Sequence, residues 1–314
     1  MRTPTAIILA AATLAAATRP ADACLWDRDT FQEEALAQKD VAEVVSGKLR
    51  KHSRAFYEAK VTYTRALIDA GGAPKERHDD LAVALARLGK HDEALAVLAA
   101  KDKLFPGEYT TEANLGTVLA MKGDVKGALA HLEQALVINP DAHFGREKYQ
   151  VELLRRALAK TKDRCGNVTG LPDDDGFRAA FVLGPSKSAA SRPIPAGTDE
   201  AITAMVGLIR FGTAETSAVV WYNLGVALAW RGDKHLAVRA LRRAERLGHP
   251  CAVAFGTPLA RTTHALQKHP SDKVWSAAAA IADDAWTKGE AWEADRQRAE
   301  DAEVKKNPRK AFGY

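Results

Sequence analysis

The chain has 314 residues, 46% of them hydrophobic and 27% charged, with a formal net charge of +5. That slight excess is no nucleic-acid footprint, and three cysteines are too few for a disulfide framework, though an oxidising compartment allows one pair. Ala-Leu-Arg-Glu runs dominate and β-branched clusters are sparse, which predicts an all-α protein.

Residues 1–23 read as a secretory signal peptide, with Arg2 as the basic start, an apolar stretch from Ala6 to Ala17 and Ala21-Asp22-Ala23 as a small-x-small cleavage site. The expectation is export, periplasmic or secreted, with no membrane span, because no later segment approaches the roughly 20 apolar residues that a spanning helix needs. Cys24 at the cleavage point raises the alternative of a lipid anchor, although Ala21 stands where lipoprotein signals place leucine. Residues 24–74 follow as N-terminal helices, a hairpin turning at "KHSR" (51–54) with Ser53 as an N-cap.

Residues 75–160 carry an internal repeat. Leu81, Leu85, Gly89, Ala94, Leu98 and Pro106 recur 34 residues later as Leu115, Leu119, Gly123, Ala128, Leu132 and Pro140. Period and content resemble the tetratricopeptide repeat, a helical hairpin that buries its apolar face only by stacking on its neighbours. With copies starting at Lys75 and Tyr109, the second fits throughout, Gly116 and Ala135 included. The first has Ala82 in place of glycine and Lys101 in place of alanine, changes expected to loosen the packing. Gly47, Ala59, Tyr63 and Ala66 match a divergent earlier copy. "HFGREKYQVELLRRALAK" (143–160) continues the second copy as a capping helix, with Tyr149, Leu153 and Leu154 inward and its charges in water.

The pattern then stops in an irregular linker, 161–197, rich in Gly, Pro, Ser and Asp. Residues 198–250 supply a helix and a third copy starting at Ala218, with Trp221, Leu224, Gly225, Leu228, Ala237, Leu241 and Ala244 in register and Pro250 one place late. A glycine inside a helix costs about 0.5–1 kcal/mol, and the repeat accounts for both in "WYNLGVALAWRGDKHLA" (221–237). Gly225 lets the paired helices approach, and Gly232 makes the left-handed turn between them.

Residues 251–306 read as a short helix around Leu259–Gln267 and a long one over 271–306, striped by Trp275, Ala279, Ala282 and Trp286. Beyond Trp292 the long helix turns charged, as one leaving the fold for solvent does, and the tail 307–314 reads as loose. The expected architecture is an all-α, tetratricopeptide-type helical-hairpin solenoid with an irregular insertion and a long C-terminal helix.

No phosphate loop, zinc motif, Cys-x-x-Cys pair or nucleophile elbow occurs, so no enzymatic activity, catalytic residue, metal or cofactor is expected. "PDDDG" (172–176) lacks EF-hand spacing after it, "NPDAHFGREKYQ" (139–150) gathers charges at a helix start, and His249, His264 and His269 surround Cys251. The resemblance implies a concave groove lined by first helices. Carried over, the groove takes Arg87 from the first copy, Asn114, Thr117 and Met121 from the second, and Tyr222, Asn223, Val226 and Trp230 from the third. Asp79 and Val83 stand where a carboxylate clamp needs Lys and Asn, so an apolar peptide is the expected occupant. Tyr222 and Trp230 are the favoured hot spots, with Trp230 packed on the 198–211 helix as the competing view. "ACLWDRDT" (23–30) and "NPDAHFGREKYQ" also resemble stretches of exported bacterial tetratricopeptide proteins, and the expected function is a non-enzymatic protein- or peptide-binding scaffold or adaptor of the bacterial cell envelope. The alternative is an exported metal-binding or thiol-redox protein using Cys24, Cys165 or Cys251, whose pairing, Cys165–Cys251 or Cys24–Cys165, stays open.

Overall fold

The computed structural model describes residues 25–27, 41–141, 145–159, 164–173, 194–263, 266, 268–308 and 312, whose regular elements are helices with no strand among them. The elements are α1 (Val41–Val44), α2 (Arg54–Asp69), α3 (Lys75–Arg87), α4 (His91–Leu104), α5 (Tyr109–Lys122), α6 (Val125–Ile138) and α7 (Arg146–Ala159). After the linker come α8 (Thr198–Arg210), a 3-10 turn (Ala214–Thr216), α9 (Ala218–Arg231), α10 (Lys234–Arg246), α11 (Ala252–Arg261) and α12 (Val274–Lys306). Signal peptide, cleavage point and Cys24 lie outside the described residues. Among the described residues no helix is long and apolar enough to cross a membrane.

Helices α3, α5 and α9 begin at Lys75, Tyr109 and Ala218, the residues that start the three repeat copies, and each pairs with the helix after it. The turns form at Gly89, Gly123 and Gly232, all at positive φ, where a side chain would be strained. Close approach is equally enforced: a Cβ on Gly225 would lie 2.6 Å from Leu241 Cγ, and one on Gly116 would lie 2.6 Å from Leu132 Cγ. Helix packs on helix in chain order from α2 to α7, and α8 lies between α7 and α9, so the three hairpins share one stack across the insertion. The largest apolar cluster gathers α8 to α11 with the buried face of α12, and a smaller one joins α3, α4 and Val118 of α5 to Leu25.

Several expectations need correction. Among the described residues of 24–74 no helical hairpin forms: α1 packs on α8, while α2 packs on α3 and α12. Ser53 does cap α2, accepting the Phe56 N–H at 3.0 Å. Gly47, expected inside a repeat helix, instead turns with φ 84° against the Trp286 ring and backbone, which ends the match to a divergent copy. Helix α7 does not cap the stack, because α8 covers it; Arg146 and Glu147 are buried there rather than in water. The short helix lies earlier than expected and includes Pro258, since burying Ala252, Phe255 and Leu259 on one face outweighs the proline.

The largest correction concerns α12. Its charged half runs along the 46–53 segment instead of leaving for solvent. Gly289 brings its backbone so close to Ser46 that a Cβ would sit 1.8 Å from the Ser46 carbonyl oxygen. Glu293 accepts the Arg50 N–H at 2.8 Å, Gln297 donates to Lys51 O at 2.8 Å, and Glu300 meets both His52 Nδ1 at 2.5 Å and the Ser53 N–H at 3.0 Å. Burial pushes the Glu300 carboxyl up, but His52, the Ser53 N–H and Arg296 outweigh it and hold it below the ordinary value. Of the tail, Phe312 is held as well, buried edge-on to Phe56 at 5.2 Å between ring centres.

Candidate peptide-binding grooves

Asn114 lies in the second turn of α5, and its side chain is fully buried. A buried amide must satisfy both its ends, and this one does so on a non-helical piece of its own chain. Asn114 Oδ1 accepts the Trp26 N–H at 2.8 Å, and Nδ2 donates to Trp26 O at 2.8 Å and to Asp79 Oδ1 at 3.1 Å. On one side of this grip Leu25 is wholly buried against Leu81, Leu85 and Val118. On the other, Asp27 pairs with Lys60 Nζ at 2.9 Å, which lies 3.8 Å from Asp80. Asp79 receives Lys101 Nζ on both oxygens, at 2.8 and 2.6 Å, and Thr110 Oγ1 at 3.0 Å. Burial pushes the Asp79 carboxyl up to about 6, against the opposing pull of Lys101, Thr110 and Asn114. Lys101 is therefore the buried partner of Asp79, and the expectation of looser packing at that position is corrected.

The third repeat repeats the device. Asn223, also fully buried, accepts the Val168 N–H on Oδ1 at 2.9 Å, and its Nδ2 donates to Gly166 O at 3.0 Å and Val219 O at 2.8 Å. Val168 and Leu171 are buried by this arrangement. The Tyr222 hydroxyl reaches Asp173 Oδ2 at 3.0 Å, and Trp230 Nε1–H donates to Pro172 O at 2.7 Å. The Tyr222 ring stacks on His249 at 4.2 Å and meets Phe255 edge-on at 5.8 Å. The first part of the linker, expected on the surface, is thus packed into the fold. Of "PDDDG" only Pro172 and Asp173 are described, and each of them is bound to a third-repeat aromatic.

Four of the eight carried-over residues sort onto the two grips: Tyr222, Asn223 and Trp230 meet around residues 166–173, and Asn114 holds Trp26. The other four lie elsewhere. Thr117 is buried and accepts from Gln150 Nε2 of α7 at 3.5 Å, and Met121 is partly buried between two apolar clusters. Val226 belongs to the main core. Arg87 donates to the carbonyls of Phe211 and Gly212, where its charge complements the C-terminal end of α8. Lys60 and Lys101 were missed as groove residues, and only the second was flagged, as a lysine at an alanine position of the repeat; Asp79, read as a groove position, was not given its partner Lys101.

The pairing left open is Cys165–Cys251, with Cα atoms 5.6 Å apart and a sequence separation of 86. Closing a loop of that length stabilises a fold by about 4.6 kcal/mol in the chain-entropy model. His249 brackets the bond, its Nε2 3.0 Å from Cys165 O and its Nδ1 accepting the Cys251 N–H at 3.3 Å. That pattern requires the neutral tautomer protonated on Nε2, which occupies both ring nitrogens. His264 lies outside the described residues, and no three His, Cys, Asp or Glu side chains converge as a metal site among the described ones. A scan against protein-family models returns no match, and neither does a search of curated proteins.

Proposed function

We propose that this chain is a non-enzymatic scaffold of the bacterial cell envelope, built of tetratricopeptide-type hairpins, which binds protein segments through their backbone. One observation carries this reading: two repeats, remote in sequence, each use a buried asparagine to hold a backbone N–H and C=O of a non-helical segment. Side chains beside the grip give selectivity. Each held segment offers an apolar residue followed by an aspartate, Leu25 and Asp27 in one, Leu171 and Asp173 in the other. A partner entering either groove shares that chemistry and exchanges with the chain's own segment. The Cys165–Cys251 bond supports an oxidising location, and so export.

The test uses Trp26→Pro, which deletes the N–H that Asn114 receives and leaves the rest of the chain in place. A labelled peptide copying residues 23–30 should bind this variant saturably by fluorescence anisotropy, and adding Asn114→Ala should abolish the binding. A Trp26→Pro protein that folds with native helicity yet shows no saturable binding overturns the reading.

A further inference from the structure

A cleft of about 230 Å³ opens between α10 and α12, sharing no residue with either asparagine grip. Arg239, Arg242, Arg243 and Arg246 line one wall, spaced so that all four share a face of α10. Asp283, Trp286 and Glu290 stand on the α12 wall. Two of the arginines are fixed. Arg239 donates to Ser46 Oγ at 2.8 Å, while Arg242 forks onto Asp283 at 3.0 and 2.7 Å and also reaches Glu245 at 2.7 Å.

The other two differ. Arg246 is exposed and comes only within 4.0 Å of the Asp283 oxygen that Arg242 already holds. Arg243 lies over the Trp286 ring, 4.1 Å from its centre, and its buried Nε meets no acceptor among the described residues. It forms no ion pair among them either. The carboxylate that faces it, Glu290, accepts the Trp286 indole N–H at 2.7 Å. Burial leaves the Arg243 guanidinium below its ordinary pKa, against the opposing pull of Glu290 and Glu215 and with the charge of Arg246 adding to it. A stacked guanidinium whose inner nitrogen lacks an acceptor, beside a second loosely paired one, is a fork arranged for an anion.

We propose that the α10–α12 cleft is a binding site for a dianionic phosphate group, held by Arg243 and Arg246. Two under-compensated guanidiniums match the charge of a phosphate monoester, close to −2, whereas a carboxylate carries only one charge. Asp283 holds Arg242 beside the site as a positioning contact, and the Trp286 ring fixes the plane of Arg243.

The experiment is calorimetric titration of the full chain with inorganic phosphate, against sodium chloride of equal ionic strength. Saturable heat is expected, weakened at least tenfold in Arg243→Gln/Arg246→Gln, and strengthened severalfold in Glu290→Gln, which removes a competing carboxylate. The second variant keeps the test valid if the first fails to fold. Heat matched by sodium chloride, or Glu290→Gln binding no more tightly than the natural chain, overturns the proposal. A second arm adds vesicles of phosphatidylcholine with and without phosphatidic acid to chain that has shown saturable heat. Capture by the phosphatidic acid vesicles, displaced by inorganic phosphate, assigns the group to a lipid headgroup, and failure of capture assigns it to a soluble phosphate.

Discussion

Around Asn114 the groove is lined by paired charges, Lys60 with Asp27 and Asp80, and Lys101 with Asp79. Around Asn223 it is lined by Tyr222, Trp230, His249 and a disulfide. The same grip therefore works in two unlike settings, one held by buried electrostatics and the other by aromatic packing and a covalent tie. The position of the asparagine belongs to the repeat, while the means of stabilising what it holds is particular to each groove.

That contrast sets the size of three expected effects. Asp79→Leu should be the most damaging, by about 3–5 kcal/mol in denaturant unfolding, because it leaves Lys101 buried without its counter-charge. Pairing it with Lys101→Ala should recover most of the loss, and an unrecovered double variant would refute the charge-pair account. Cys165→Ser/Cys251→Ser should cost about 2–5 kcal/mol and leave the Asn114 side protected in hydrogen exchange. Equal loss of protection on both sides would erase the distinction between the grooves.

The smallest effect is the pH dependence. With the Asp79 carboxyl pushed up to about 6 from 3.8, the folded chain holds that proton more tightly than the unfolded one. Its contribution to stability accordingly falls as pH rises from about 4 to about 6 and is level above, a step on the order of 3 kcal/mol. Subtracting the stability profile of Asp79→Asn from that of the natural chain should isolate this step. A flat difference would place the Asp79 carboxyl at its ordinary value.

Much of the frame was legible in the residues. Gly225 against Leu241 and Gly232 in its turn follow from local geometry, so the hairpins and their starting residues could be read directly. Asn114 and Asn223 could be placed on the groove face, but not given their task, because what each one holds comes from 88 and 55 residues away. Charges were the least readable. Lys101 looked like a blemish in the repeat and the charged half of α12 looked like a solvated helix, since a buried ion pair becomes visible only when both partners are placed.

The return of α12 onto residues 46–53 changes how the molecule can fold and evolve. In an open array of repeats each unit touches only its neighbours, so ends fray independently and units are added or lost at little cost. Here contacts such as Glu300 with His52 span 248 residues and tie the last helix to the segment that leads into α2. Such distant closure slows folding and couples the two ends into one cooperative transition. It also fixes the number of hairpins, because inserting one more would carry α12 away from the surface it must reach.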